Sequence, residues 1–142
     1  MIKSLMKNIN YEKRINLSNY TTIKVGGFAE YFSKPNNTDE FINLINWARL
    51  NNQKCRIIGA GSNLLINDIF LKGLTICTKK MRSIKIESHS GIVEAEAGVM
   101  LPTMSNILAK KGLQGGEWTV GIPGTVGAVS YTHLTLPTIY SV

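Results

Sequence analysis

The segment Arg56-Ile57-Ile58-Gly59-Ala60-Gly61-Ser62-Asn63-Leu64-Leu65-Ile66 demands a tight bend between two apolar runs. Gly59 and Gly61 lack a Cβ, so the backbone there can take positive φ or approach another segment closely. Ser62 and Asn63 add short side chains able to donate hydrogen bonds. A second bend, Gly121-Ile122-Pro123-Gly124-Thr125-Val126-Gly127, follows about sixty residues later. There Pro123 fixes one φ while the glycines leave others free, which predicts a stiff loop with exposed N–H groups.

Two phosphate-binding fingerprints are excluded. A dinucleotide-binding GxGxxG opens a helix, whereas Gly59-Ala60-Gly61-Ser62-Asn63-Leu64 lacks the third glycine and runs into a β-like apolar stretch. A Walker loop needs Gly-Lys-Ser/Thr, which does not follow. What remains is a nest, in which successive main-chain N–H groups turn inward on anionic oxygens such as those of a diphosphate. The same composition also serves a tight turn with no ligand, and the second bend equally reads as a turn joining two subdomains. Together, two donor-rich bends can grip both ends of a diphosphate.

The elements around the bends predict a mixed architecture. Residues 28–34 read as a strand stopped by Pro35. A helix follows, capped by Asn37 with Glu40 completing a capping box, Asp39 at its positive start and Asn51-Asn52 at its end. Phe41, Leu44, Ile45 and Ala48 recur along it at helical spacing. Residues 56–58, 64–66 and 74–77 are expected as short strands, so strand–helix–strand order indicates a small parallel sheet. Residues 83–87 and 92–97 alternate apolar and polar side chains about His89-Ser90-Gly91, the pattern of an antiparallel hairpin. Next comes a helix with Pro102 in its first turn, Met104, Ile107 and Leu108 on its apolar face, and Gly112 as C-cap. The fold class is α+β: a small parallel α/β subdomain followed by the start of an antiparallel α+β subdomain.

Charge narrows the partners. The 142 residues carry a formal charge of +7 with 44% hydrophobic content, which fits one globular domain or a piece of one and admits an anionic ligand. The basic residues are dispersed: Lys79-Lys80 and Lys110-Lys111 are isolated pairs without interleaved aromatics, so no nucleic-acid partner is expected. Cys55 and Cys77 lie far apart from each other and from any histidine cluster, which suggests no metal site and no disulfide. His89 and His133 are isolated. No secretion signal or membrane-spanning run is visible, and the chain is read as cytoplasmic with no membrane partner.

Taken together, the motifs resemble the UDP-N-acetylenolpyruvoylglucosamine reductase family. The likeness begins at Asn19-Tyr20-Thr21-Thr22-Ile23-Lys24-Val25-Gly26-Gly27 and runs through Gly59 to Leu65, then Ala97-Gly98-Val99, then Gly112-Leu113-Gln114-Gly115-Gly116-Glu117. It ends at Gly121 to Gly127. The resemblance implies a vanillyl-alcohol-oxidase-type (PCMH-type) FAD-binding domain, present in part over residues 16–127 after an exposed lead-in at 1–15. It implies that Gly59, Ala60, Gly61, Ser62, Asn63 and Leu64 hold the FAD diphosphate, and that Gly121, Ile122, Pro123, Gly124 and Thr125 line the other side of the nucleotide. That family uses NADPH to reduce FAD. The flavin then delivers hydride to the enolpyruvyl carbon of a UDP-sugar, a serine supplies the proton, and UDP-N-acetylmuramate for peptidoglycan results.

The departures set limits. Beyond Gly127 the sequence Ala128-Val129-Ser130-Tyr131-Thr132-His133 leaves the family pattern, and residues 128–142 are expected to be a non-native tail, such as a translated adapter. No catalytic residue is assigned: the arginine, serine and glutamate of that family would lie in the missing C-terminal part. Ser62 and Ser105 are not substitutes, since one belongs to the bend and the other to a helix. Two alternatives stay open. One is a fragment of another FAD-dependent oxidase or dehydrogenase of the same fold; the other is a free-standing basic module for RNA or another polyanion. As a fragment, the chain is expected to expose apolar faces and to bind FAD poorly by itself.

Overall fold

A computed structural model describes residues 9–87 and 89–132. Strands β1 (Glu12–Asn16), β2 (Phe28–Ser33), β3 (Cys55–Ile58) and β4 (Leu71–Cys77) form one sheet in the order β1-β2-β4-β3. Three of these run parallel: β4 pairs with both β2 and β3, while β1 closes the edge of β2 in antiparallel register. The parallel sheet expected from the sequence is therefore present, with β4 inserted between the two strands that flank the first helix. The edge strand β1 lies within the polar segment given as an exposed lead-in. Its side chains Glu12, Lys13 and Arg14 are exposed, but its backbone is paired.

Helix α1 (Thr38–Leu50) connects β2 to β3. Asn37 accepts from the Glu40 N–H at 2.9 Å, and the Glu40 carboxylate reaches back to the Asn36 N–H at 2.8 Å. The glutamate thus satisfies a donor one residue earlier than a standard capping box does. Leu44 and Ala48 bury against Leu74 and Ile76 of β4, with Phe41, Ile45, Trp47, Tyr31 and Cys55 around them. On a second cluster Leu17, Ala29, Phe32, Ile58 and Cys77 close together with Ile15, Tyr20, Ile66 and Leu71. Gly73 (φ +92) marks a bulge in β4, where its N–H is taken by the Glu30 carboxylate at 2.7 Å.

Parallel neighbours need a long connection to bring the chain back to the starting end of the sheet. Between β3 and β4 that connection is the loop 59–70, which opens with the first glycine bend. The expected strand over Leu64-Leu65-Ile66 is not formed. Leu65 is 80% exposed, and the run pairs with no strand. Instead the loop lies over the opening segment, its carbonyls at Gly61 and Asn67 accepting from Thr22 and Gly27. Apolar composition alone cannot distinguish a run that pairs from one that docks a single side chain, here Ile66, into a core.

The second part of the chain begins with the hairpin β5 (Ile84–Glu87) and β6 (Ile92–Ala95), as expected. Helix α2 (Leu101–Lys110) follows with Pro102 in its first turn. It ends in a Schellman arrangement: Gly112 takes φ +69, and Leu113 N–H returns to Leu108 O at 3.0 Å. A short helix α3 (Val126–Thr132) opens directly from the second bend, and the rest of the tail, 133–142, lies outside the described residues. Gly98 fastens the two parts, because a Cβ there would collide with the carbonyls of Thr78 and Met81.

The Asn37 cap generates a test. Asn37→Ala is expected to lower the stability of the protein by about 1 kcal/mol, the usual cost of losing such a cap, measured as a lower urea midpoint at unchanged slope. An unchanged midpoint would show that the cap contributes nothing.

Candidate functional site

The first bend leaves the carboxyl end of β3, and Thr78 leaves the carboxyl end of β4, the edge where ligands of open parallel sheets bind. A cleft of about 640 Å³ lies there. Gly59, Ala60, Gly61, Ser62, Asn63 and Leu64 line one side of it, and Ile122, Pro123 and Gly124 line the other. The structure thus brings the two bends to one cavity. Gly121 and Thr125 are off its wall. Phe41, Ile57, Ile58, Thr78, Ala97, Ala128 and Val129, with Gly127 at the end of the second bend, complete the lining and were not among the expected site residues. Phe41 had a visible signal, as the first apolar residue of the α1 stripe, but the signal named a core position rather than a cleft.

The bends touch at depth. An added Cβ at Gly59 would stand 2.5 Å from Thr125 Oγ1 and 3.3 Å from Ala128 Cβ. Nearer the surface Asn63 Nδ2 donates to Pro123 O at 3.3 Å, across 60 residues of sequence. The glycines serve differently in the two bends. Gly61 takes φ +75, and a Cβ on it would strike Tyr20 O. In the second bend neither Gly121, Gly124 nor Gly127 takes positive φ, so the freedom expected there is not used. Gly124 and Gly127 instead permit close packing: a Cβ would lie 2.9 Å from Val129 Cγ2 and 2.7 Å from Ala97 Cβ respectively.

Main-chain orientation follows from the anchored carbonyls. In a trans peptide the C=O and the following N–H point opposite ways, and no cis bond occurs among the described residues. Gly59 O faces Cys77 Sγ at 3.8 Å in the core, which turns the Ala60 N–H away from the core. Gly61 O accepts from Thr22 N–H at 3.0 Å, which turns the Ser62 N–H away from the opening segment. Among the described residues, the N–H groups of Ala60, Gly61, Ser62 and Asn63 donate to no protein acceptor. Polar groups left unspent in this way call for water or a ligand. Thr125 Oγ1, fully buried behind Gly59, also lacks a hydrogen-bond partner among the described residues.

No charged side chain lines the cleft among the described residues. A bound anion would be held by amide dipoles, between walls that include Phe41, Ile57, Ile58, Leu64, Ile122 and Val129. Burial pushes the Cys77 thiol up, against a smaller opposing pull from Lys79 and Lys34, so it stays neutral beneath the bend. Burial likewise raises the Cys55 thiol. A second cavity of about 450 Å³ is lined by Lys34, Lys80, Glu12 and Glu40 among others. Lys34 there is paired with Glu12 at 3.5 Å and donates to the Tyr20 hydroxyl at 3.3 Å, and the Tyr20 bond holds its ammonium above the ordinary lysine range. The opposing charges in this second cavity balance, so it selects for no anion. Among the described residues no cluster suits a metal ion, and no helix is long and apolar enough to cross a membrane.

Residues 29–135 match the model of the FAD-binding domain family. The chain belongs to that family. A curated relative, UDP-N-acetylenolpyruvoylglucosamine reductase of Prochlorococcus marinus subsp. pastoris (strain CCMP1986 / NIES-2087 / MED4), is 93% identical over 122 residues, covering 86% of this chain and 41% of the relative. The crystal structure of UDP-N-acetylenolpyruvylglucosamine reductase from Thermus caldophilus superposes with a TM-score of 0.62 at 29% identity, over 84% of this chain and 41% of that one. The structure of 6-hydroxy-D-nicotine oxidase from Arthrobacter nicotinovorans shares the fold, with a TM-score of 0.50 at 15% identity over 77% of this chain and 22% of that one. The architecture is therefore that of a vanillyl-alcohol-oxidase-type FAD-binding domain, present in part, and the chain spans about two fifths of the length of the reductases it matches.

The requirement for bare backbone at the junction of the bends is testable. Gly59→Ala drives a Cβ against Thr125, and an overpacked contact of this kind costs about 1–3 kcal/mol. Gly121→Ala meets nothing within 4 Å and should change stability by no more than about 0.5 kcal/mol. Urea denaturation of both variants checks the contrast. Equal effects would mean that the bends do not pack as described.

Proposed function

We propose that this polypeptide is the N-terminal, flavin-holding part of an NADPH-dependent UDP-N-acetylenolpyruvoylglucosamine reductase, which makes UDP-N-acetylmuramate for peptidoglycan in the cytoplasm. The observation that carries the reading is the neutral cleft between two glycine bends, the first of which offers unspent N–H groups suited to a diphosphate. The identity to named reductases over most of the chain supplies the substrate class.

The residues present fit the cofactor. Ala60, Gly61, Ser62 and Asn63 offer main-chain donors to the diphosphate oxygens, and the Ser62 hydroxyl can add another. The short side chains of Gly59, Ala60, Gly61 and Gly124 leave room for close approach of the ligand to the backbone. Apolar walls from Ile57, Leu64, Ile122 and Val129 exclude water from its flat ring systems. When bound, FAD supplies the hydride chemistry, taking two electrons and a proton from NADPH and returning them to the enolpyruvyl carbon. The proton donor for the adjacent carbon is assigned to the remainder of the full-length protein. Ser62 lies in the bend, and Ser105 is buried on α2, so neither is offered for that role. Among the described residues no histidine or cysteine lines the cleft, so no side chain here is placed to tether a flavin covalently.

The full-length protein, purified from a host fed no exogenous flavin, is expected to carry FAD in about equimolar amount. It should oxidise NADPH only when the enolpyruvyl UDP-sugar is present. Protein that is free of flavin, or that passes electrons to a different acceptor and ignores the UDP-sugar, would overturn the assignment.

A further inference from the structure

Asn63 has the residue type and position of a direct donor to a bound anion. One of its two Nδ2 hydrogens is already committed, donating to Pro123 O at 3.3 Å. Both residues are exposed at the rim of the cleft, whereas the other junction of the bends, Gly59 against Thr125, lies deeper: Thr125 is fully buried. Segments joined at a single point can hinge about it. Segments joined at two depths hold a fixed angle, and with it a fixed cleft width.

We propose that Asn63 is a positioning residue, a strut whose carboxamide ties the rim of the first bend to the second and sets the width of the cleft before any ligand arrives. The proposal rests on the flavin reading and deepens it. A cleft held open at the ligand's width has less ordering left to do on binding, so affinity gains from preorganisation rather than from one more phosphate contact. The Asn63 side chain thereby differs from the main-chain donors of Ala60 to Asn63, which remain free for the ligand.

The test compares Asn63→Ala with Asn63→Asp in the full-length protein stripped of FAD. Alanine removes the strut, and aspartate keeps its shape while removing the donor. Hydrogen–deuterium exchange is followed at peptides covering 122–129, where Val126 and Gly127 N–H groups are held by Val99 and Ala97 carbonyls. Both variants should exchange there about three- to tenfold faster than the parent, the range that one neutral hydrogen bond carries, with strands β3 and β4 unchanged. For Asn63→Ala the FAD dissociation constant should rise over the same range; Asn63→Asp adds a carboxylate that repels the diphosphate, so it is read by exchange alone. Unaltered exchange at 122–129 in the stripped protein, in either folded variant, overturns the strut whatever happens to FAD affinity. Should neither variant fold, the parent protein decides. The Asn63 carboxamide hydrogen bonded to Pro123 O must exchange more slowly than those of exposed Asn106, and equal rates overturn the proposal. If the parent binds no FAD at all, the flavin reading fails while the exchange result still decides the strut.

Discussion

Everything the cleft can do depends on bare backbone at Gly59, on its wall, meeting Thr125 behind it. A side chain as small as a methyl at Gly59 would enter van der Waals space occupied by the threonine hydroxyl. Because Gly59 brings no side chain there, segments distant in sequence become the two walls of one cavity. The carbonyl of Gly59 is turned inward to Cys77, which leaves the next N–H groups facing outward. Burial keeps that thiol neutral, so no negative charge is placed under a site suited to anions.

The sheet delivers this geometry. With β4 between β2 and β3, the chain must return across the sheet between two parallel neighbours, and the loop that does so begins with the first bend. The opening segment Thr21 to Gly27 then has a structural task. Thr22 and Gly27 hold the return loop by main-chain hydrogen bonds, and a Cβ at Gly27 would collide with Ile69 O. The second part of the chain is fastened at Gly98 and through the bridge between Met100 and Thr125. Both fastenings sit beside the cleft, so the packing that joins the two parts also shapes the site.

Much of this was legible in the sequence because local chemistry decided it. Asn37 and Glu40 announced α1, Gly112 announced the end of α2, and Gly91 with flanking alternation announced the hairpin. The two bends were visible as clusters of glycine with small polar neighbours. What escaped reading depended on contacts between distant residues. The polar sequence of β1 gives no sign that its backbone pairs with β2. Leu64 to Ile66 has strand composition but no strand beside it. Gly124 and Gly127 of the second bend looked like positions of backbone freedom and are instead points of close packing, which only the positions of Val129 and Ala97 reveal. Asn63 looked like a ligand donor, and its bond to Pro123 could not be inferred from residues 60 positions away. Phe41 and Ala97 belong to helix and hairpin patterns, and nothing local distinguishes a core-facing position from one that faces a cleft.

The most direct measurement is a crystal structure of the full-length protein with FAD bound. The diphosphate oxygens should lie within hydrogen-bonding distance of the N–H groups of Ala60 to Asn63, with the nucleotide between the two bends and Asn63 still bonded to Pro123. A diphosphate seated elsewhere, for instance in the cavity beside Lys34 and Lys80, would contradict the account.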